Sequence, residues 1–352
     1  MHDARIAIAM PSTHHILSLT YITLFDSSGA WRHRAYDAGT WQSFIADANP
    51  GEVPLQKLRR MRKVIFIILS AFVIISCKNS NKETMSATNA VKQTKPDSTS
   101  GYATVNGLKM YYEIHGEGTP LVLIHGGGST IQTTFGKTLP LFAQHHKVIA
   151  VEMQAHGHTS DRDSPESFTQ DADDIAALLK YLKIDKADIF GFSNGGHTAM
   201  QIGISHPEIV NKLIIVSAFY KRDGAVKGFF ESLPNATLKD MPAVYREAYL
   251  KINNDSAGLL NMFEKDRTRM VNFKDWKDEE LASIKAPTLI IAGDKDVVTT
   301  EHAVKMAHII PGAQLMILPG THGAFIGEVI TAKEGSKMPE LTVVAVEEFL
   351  KR

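Results

Sequence analysis

Two stretches of this sequence carry groups that together could do acyl chemistry. Gly191-Phe192-Ser193-Asn194-Gly195-Gly196 sets a serine among small residues, directly after the apolar run Asp188 to Phe190 and before a helical pattern through Met200. Strand, sharp turn and helix in that order lift a serine hydroxyl clear of its backbone, and the helix amino terminus behind it favours developing negative charge. His125-Gly126-Gly127-Gly128 follows a second apolar run, Leu121 to Ile124. Glycine lets a tetrahedral oxyanion approach backbone N–H groups that a side chain would screen, so Gly127 is a candidate donor and the backbone N–H of Asn194 a second. Neither GxxxxGK[ST] nor GxGxxG, the spacings of a phosphate cradle, is present.

These groups need a scaffold that brings distant loops together. From Tyr102 onward short β-branched runs alternate with longer helical patterns, which predicts βαβ units around a parallel sheet. Tyr102 to Val105 and Leu108 to Ile114 flank Asn106-Gly107, a dipeptide suited to a two-residue hairpin turn. Leu121–Ile124, Val148–Val151, Asp188–Phe190, Leu213–Val216, Thr288–Ile291 and Leu315–Leu318 are nearly continuous apolar runs, as expected of strands covered on both faces. Helices are predicted over Asp171 to Leu182, with Ile175, Leu178, Leu179 and Leu182 on one stripe, and over Leu341 to Lys351. His302 and His308 lie on a further helical pattern and are expected at the surface. The strand spacing breaks over residues 217–286, rich in aromatics, methionine and charge, which predicts an inserted helical cap. Its aromatics Phe219, Tyr220, Phe229 and Phe230, with Met262-Phe263 further on, either line a substrate pocket or form the cap's own small core.

The order of hairpin, HGGG after the third strand counted from it, GFSNGG after the fifth, and acid and histidine after late strands resembles the α/β-hydrolase superfamily, over about residues 102–352. The resemblance implies a doubly wound, mostly parallel sheet with an inserted helical cap, and a Ser193, Asp296, His322 triad in that chain order. The family pattern GxxD falls on Asp296 and leaves Asp294 as a turn residue; Thr321 stands before His322 where the family more often has glycine. Gln154-Ala155-His156-Gly157-His158-Thr159-Ser160 resembles the family's loop after the fourth strand, its two histidines read as structural because no carboxylate stands at metal-ligand spacing. No metal and no cofactor is expected. Dehalogenases and epoxide hydrolases of this fold use aspartate where this chain has Ser193, so the resemblance points to a carboxylesterase acting on small to medium acyl esters. Lactonase, C–C bond hydrolase, aminopeptidase and perhydrolase use the same residues. A lipid-anchored binding protein on a degenerate hydrolase scaffold would call for a broken elbow or a missing histidine, and neither is seen.

Composition bounds the rest. The 352 residues carry 38 Lys+Arg and 38 Asp+Glu, a net charge of zero without the basic footprint of a nucleic-acid binder. The single cysteine, Cys77, excludes an internal disulfide and a cysteine-based metal centre. It follows Met61-Arg62-Lys63 and the uncharged run Val64 to Ser76, the n-region and h-region of a secretory signal. Ile74-Ile75-Ser76-Cys77 resembles a bacterial lipobox, which implies lipidation of Cys77, export and anchoring to a bacterial membrane, the outer membrane being expected. Lys78 to Ser100 is nearly devoid of large apolar residues and is predicted to be a disordered tether. A signal does not function behind sixty residues of mixed sequence, so translation is expected to start at Met61, leaving residues 1–60 as a start-site artefact or an unstructured extension.

Overall fold

A computed structural model describes residues 20–25, 31–36 and 98–351. The chain divides into two units, Met1–Ala90 and Val91–Arg352. In the first, strands β1 (Thr20–Phe25) and β2 (Trp31–Tyr36) pair antiparallel. The signal segment, Cys77 and most of the expected tether lie outside the described residues.

The second unit is built on eight strands: β3 (Ser98–Val105), β4 (Leu108–His115), β5 (Thr119–Ile124), β6 (His146–Val151), β7 (Ala187–Phe192), β8 (Val210–Val216), β9 (Thr288–Lys295) and β10 (Gln314–Thr321). They run in the order β10-β9-β8-β7-β5-β6-β4-β3. The pairs β3–β4 and β4–β6 are antiparallel and all others parallel. This is the mostly parallel α/β-hydrolase sheet that the residue pattern implies. The hairpin turns at Asn106 (φ 46°) and Gly107 (φ 78°), both in the left-handed region that this dipeptide tolerates. β3 starts at Ser98, inside the expected tether, because Ser98–Gly101 pair with His115–Tyr112 through backbone bonds that need no apolar side chain.

Helices α1 (Ile131–Phe135), α2 (Leu139–Phe142) and α10 (Met338–Lys351) cover one face of the sheet. Helices α3 (Phe168–Tyr181), α4 (Asn194–Ser205) and α9 (Thr300–Ile309) cover the other. β5 shows why its run is apolar throughout: Leu121 and Leu123 enter the first core, Val122 and Ile124 the second, all four inaccessible to solvent. Between β8 and β9 the chain leaves the sheet to form α5 (Phe229–Ser232), α6 (Ala243–Asn253), α7 (Ser256–Val271) and α8 (Asp278–Ala282).

The strand order places the chemistry. From β5 the chain crosses to β6 on one side and returns to β7 on the other, so the loops leaving adjacent β5 and β7 diverge and open a crevice at the strands' carboxyl ends. HGGG leaves β5 and Ser193 leaves β7 there. Asp296 and His322 leave β9 and β10 at the same edge.

Candidate active site

Ser193 sits between β7 and α4 at φ 55° and ψ −117°, a backbone conformation that a non-glycine residue adopts only under restraint. The restraint is visible. Its N–H donates to the Val216 carbonyl at 2.9 Å, and its carbonyl accepts from the N–H groups of Gly196 (2.8 Å) and His197 (3.1 Å) and stands 3.0 Å from His197 Nδ1. A side chain at Gly195 would strike the carbonyls of Ile124 and His125, so only glycine lets the turn close on the β5 loop.

His322 Nε2 stands 3.0 Å from Ser193 Oγ, and His322 Nδ1 stands 2.7 Å from Asp296 Oδ1. Asp296 is buried. Its Oδ2 accepts from Ser217 Oγ (2.5 Å) and the Gly293 N–H (3.0 Å), and Oδ1 accepts from the Val297 N–H (2.7 Å). Burial alone would raise this carboxyl, but the His322 bond and these donors hold it below the ordinary carboxylate range, so it stays charged beside the imidazole. Asp294 lies exposed and accepts from the Gly320 N–H at 2.7 Å, tying the β9 turn to β10 as a turn residue. The structure thus brings Ser193, His322 and Asp296 together and leaves Asp294 outside.

Gly127 and Asn194 lie side by side in the lining of a cavity of about 440 Å³, a lining that does not include Ser193 or His322. Its walls come from the insertion: Phe229, Leu233, Met241, Tyr245, Phe263 and Met270. Of the four aromatics named from sequence, Phe229 lines this cavity; Phe219, Tyr220 and Phe230 do not. Phe219 and Phe230 pack with Phe168, Met270 and Phe273 in a small core between the insertion and α3. Tyr220 is wholly buried, its hydroxyl donating to Asp278 at 2.8 Å and its N–H to His302 at 3.2 Å. That bond also corrects His302, which is buried rather than at the surface, where burial lowers it to about 4 and keeps it neutral as an acceptor.

Sequence reasoning missed the buried charges around Gly128. Asp266 on α7 accepts from the Gly128 N–H (2.6 Å) and stands 2.9 Å from His156 Nε2 with Oδ2. Its Oδ1 accepts from Asn194 Nδ2 (3.0 Å) and Arg269 (2.6 Å). Arg269 also bonds Asp171 at 2.8 Å and stacks on the Phe168 ring. Asp266 and Arg269 are three apart on a helix, a spacing that equally suits a solvated ion pair. The histidines of this region divide sharply. His156 Nδ1 faces the Gln154 carbonyl at 2.7 Å, and Nε2 faces both Asp266 and the Gly128 N–H (3.0 Å); burial opposes its charge, but Asp266 outweighs that and raises it to about 9. His125 pairs one acceptor, the Gly126 carbonyl at 2.7 Å, with one donor, the Met153 N–H at 3.1 Å, and burial lowers it to about 3. Among the described residues no group of three or more His, Cys, Asp or Glu side chains is arranged to hold a metal ion.

Residues 119–269 match the family described as the alpha/beta hydrolase fold. The human serine hydrolase BPHL is 30% identical over 243 residues, 64% of this chain and 80% of that protein. A 2-hydroxy-6-oxo-6-(2'-aminophenyl)hexa-2,4-dienoic acid hydrolase of Metapseudomonas resinovorans is 26% identical over 241 residues, 62% and 82% of the two chains. The structure of an enol-lactonase from Burkholderia xenovorans superposes with a TM-score of 0.57 at 20% identity, over 71% of this chain and all of that one. The chain belongs to the α/β-hydrolase family and is a hydrolase.

Proposed function

We propose that this hydrolase cleaves neutral carboxylic esters by acyl transfer through Ser193 to water. The observation that carries the reading is the hydrogen-bonded relay from Ser193 Oγ to His322 at 3.0 Å and on to Asp296 at 2.7 Å, beside Gly127 and Asn194. His322 Nε2 takes the Ser193 proton as Oγ attacks the carbonyl carbon, and Asp296 steadies the imidazolium. The backbone N–H groups of Gly127 and Asn194 hold the oxyanion. Collapse breaks the bond to the leaving alkoxide, which takes the proton from His322; water then enters by the same route and releases the acid.

The cavity favours an ester over the dienoic acid in the name of the Metapseudomonas relative. Its one lining cation among the described residues, Arg267, is already bonded to Glu264 and to the Pro234 carbonyl at 3.1 Å each, and Asp266 stands beside Asn194. A substrate carboxylate would enter without a counter-charge. The apolar walls and limited volume suit a small to medium acyl group. A lactone, an ester closed on itself, falls within this chemistry. A panel of p-nitrophenyl esters, γ-lactones, anilides and dienoates tests the proposal. Ester turnover that vanishes in Ser193→Ala supports it; turnover of dienoates or anilides alone contradicts it. Lipidation of Cys77 and anchoring to a bacterial membrane are proposed on the sequence of residues 61–77 alone.

A further inference from the structure

We propose that Asp266, carried by the helical insertion, is a positioning residue for the oxyanion hole, its charge balanced by His156 and Arg269. The inference rests on the acyl-transfer reading above. The two proposed donors stand on different loops, Gly127 after β5 and Asn194 after β7, and the ladder between these neighbouring strands ends at Ile124 and Gly191, which leaves a gap between the donors themselves. Asp266 spans it. One carboxylate oxygen takes the Gly128 N–H at 2.6 Å, the other takes Asn194 Nδ2 at 3.0 Å. The three groups are in close register, since a methyl on Gly127 would lie 2.5 Å from Asn194 Nδ2 and 3.0 Å from Asp266 Oδ2.

Two features separate positioning from substrate binding. A carboxylate accepts about four hydrogen bonds, and Asp266 has four partners: Gly128, His156, Asn194 and Arg269. It has no lone pair left for a ligand. A bare carboxylate beside a developing oxyanion would also oppose the reaction, since like charges in a low-dielectric site repel strongly. His156 and Arg269 remove that objection. The groups facing His156 are Asp266 from α7, Glu166 from the loop before α3, Asp171 of α3 and neutral His125 from the β5 loop; Arg269 of α7 faces Asp266, Asp171 and His125. Burial raises Glu166 to about 8 despite Arg269 and raises Asp171 as well, so near neutrality the two cations offset the charge of Asp266. The oxyanion hole is therefore aligned by a charge-compensated cluster that is complete only when α7 is seated on the core.

Asp266→Asn keeps the shape, removes the charge and turns one acceptor into a donor facing Gly128 or Asn194. Removal of one whole oxyanion donor costs about 10²–10³ in kcat. Misalignment of both is expected to lower kcat about ten- to a hundredfold with KM within threefold, and to weaken an alkylboronic acid inhibitor, a tetrahedral mimic on Ser193, by the same factor. Asn194→Ala, which keeps the backbone N–H and loses one arm of the clamp, is expected to lower kcat about tenfold and to be non-additive with Asp266→Asn. Wild-type kcat is expected to fall above about pH 9 as His156 loses its proton, a limb that Asp266→Asn flattens. Folded Asp266→Asn with kcat and boronate affinity within threefold of wild type overturns the inference, as does a change in KM alone. If Asp266→Asn does not fold, Asn194→Ala with unchanged kcat and boronate affinity overturns it instead. A wild-type protein that neither cleaves esters nor binds the boronate would refute the ester reading; wild-type turnover that survives Asp266→Asn refutes only the positioning role.

Discussion

Replacing Asp296 by asparagine exchanges one oxygen for an NH₂ at the rear of the triad, and the structure says how that propagates. Asp296 Oδ1 faces His322 and the Val297 N–H, and Oδ2 faces Ser217 Oγ and the Gly293 N–H. An amide has one acceptor oxygen for these two sets. With the oxygen toward His322, the new NH₂ opposes the Gly293 N–H, while Ser217 can rotate to accept. With the oxygen toward Ser217 and Gly293, the NH₂ opposes the Val297 N–H and forces His322 Nδ1 to accept. Nε2 then carries the proton and cannot take one from Ser193. Each orientation leaves one buried donor facing another, at a cost of about 1–3 kcal/mol, so neither wins by much and a large share of the protein holds the inactive tautomer. The orientation that keeps the tautomer still lacks the charge that steadies the imidazolium. In the serine-protease case that sets the scale, the same change lowers kcat about 10⁴-fold, near 5.5 kcal/mol at about 1.36 kcal/mol per decade. We expect a loss of about 10²–10⁴ in kcat on p-nitrophenyl butyrate, with KM little changed. Asp294→Asn is exposed and loses one turn bond, so activity within threefold of wild type is expected. A crippled Asp294→Asn, or an Asp296→Asn that keeps a tenth of the activity, refutes the assignment of the acid.

Acyl chain length gives a second test: along p-nitrophenyl esters from acetate to palmitate, kcat/KM is expected to rise about fourfold per methylene, from roughly 0.8 kcal/mol each, until the 440 Å³ cavity is full, and then to fall; a maximum at palmitate contradicts an acyl site of this limited volume. Stability should decline with rising pH. His156 and Glu166 both have folded values above their unfolded ones, about 9 and about 8, so each contributes stability present below its unfolded value (roughly 6.5 and 4.3) that is lost as pH rises through the folded one. The melting temperature is expected to fall from pH 6 to 9.5, and His156→Gln to flatten the upper part of that fall; an unchanged slope contradicts a charged His156. Expression from Met61 in a bacterial host is expected to put the protein in the membrane fraction and Cys77→Ser to block its lipidation; wild type and variant equally soluble in the cytoplasm contradicts the signal.

The triad was legible because each member comes directly after a strong strand signal. Continuous apolar runs fix β7, β9 and β10, and parallel strands deliver the loops at their carboxyl ends to one edge, so Ser193, Asp296 and His322 converge although they are far apart in sequence. The choice of His322 among fifteen histidines, the late strand for the acid and the register at the β9 turn needed the family pattern. The insertion was less legible for a physical reason. Phe219 and Phe230 are buried by Phe168 and Phe273, partners that no local periodicity links to them. Asp266 and Arg269 have the spacing of a surface ion pair and become a buried cluster only because α7 lies across the loops that carry Gly128, His156 and Asn194. His302 carried a surface expectation because its acceptor role needs Tyr220 from another segment.

The most direct test of the central claim is covalent. Purified protein treated with a fluorophosphonate, then digested and sequenced by tandem mass spectrometry, is expected to gain one adduct, on the peptide bearing Ser193, with labelling lost in Ser193→Ala and slowed at least a hundredfold in His322→Ala. No adduct on a folded wild-type protein, or an adduct on another residue that persists in Ser193→Ala, would contradict nucleophilic catalysis by Ser193.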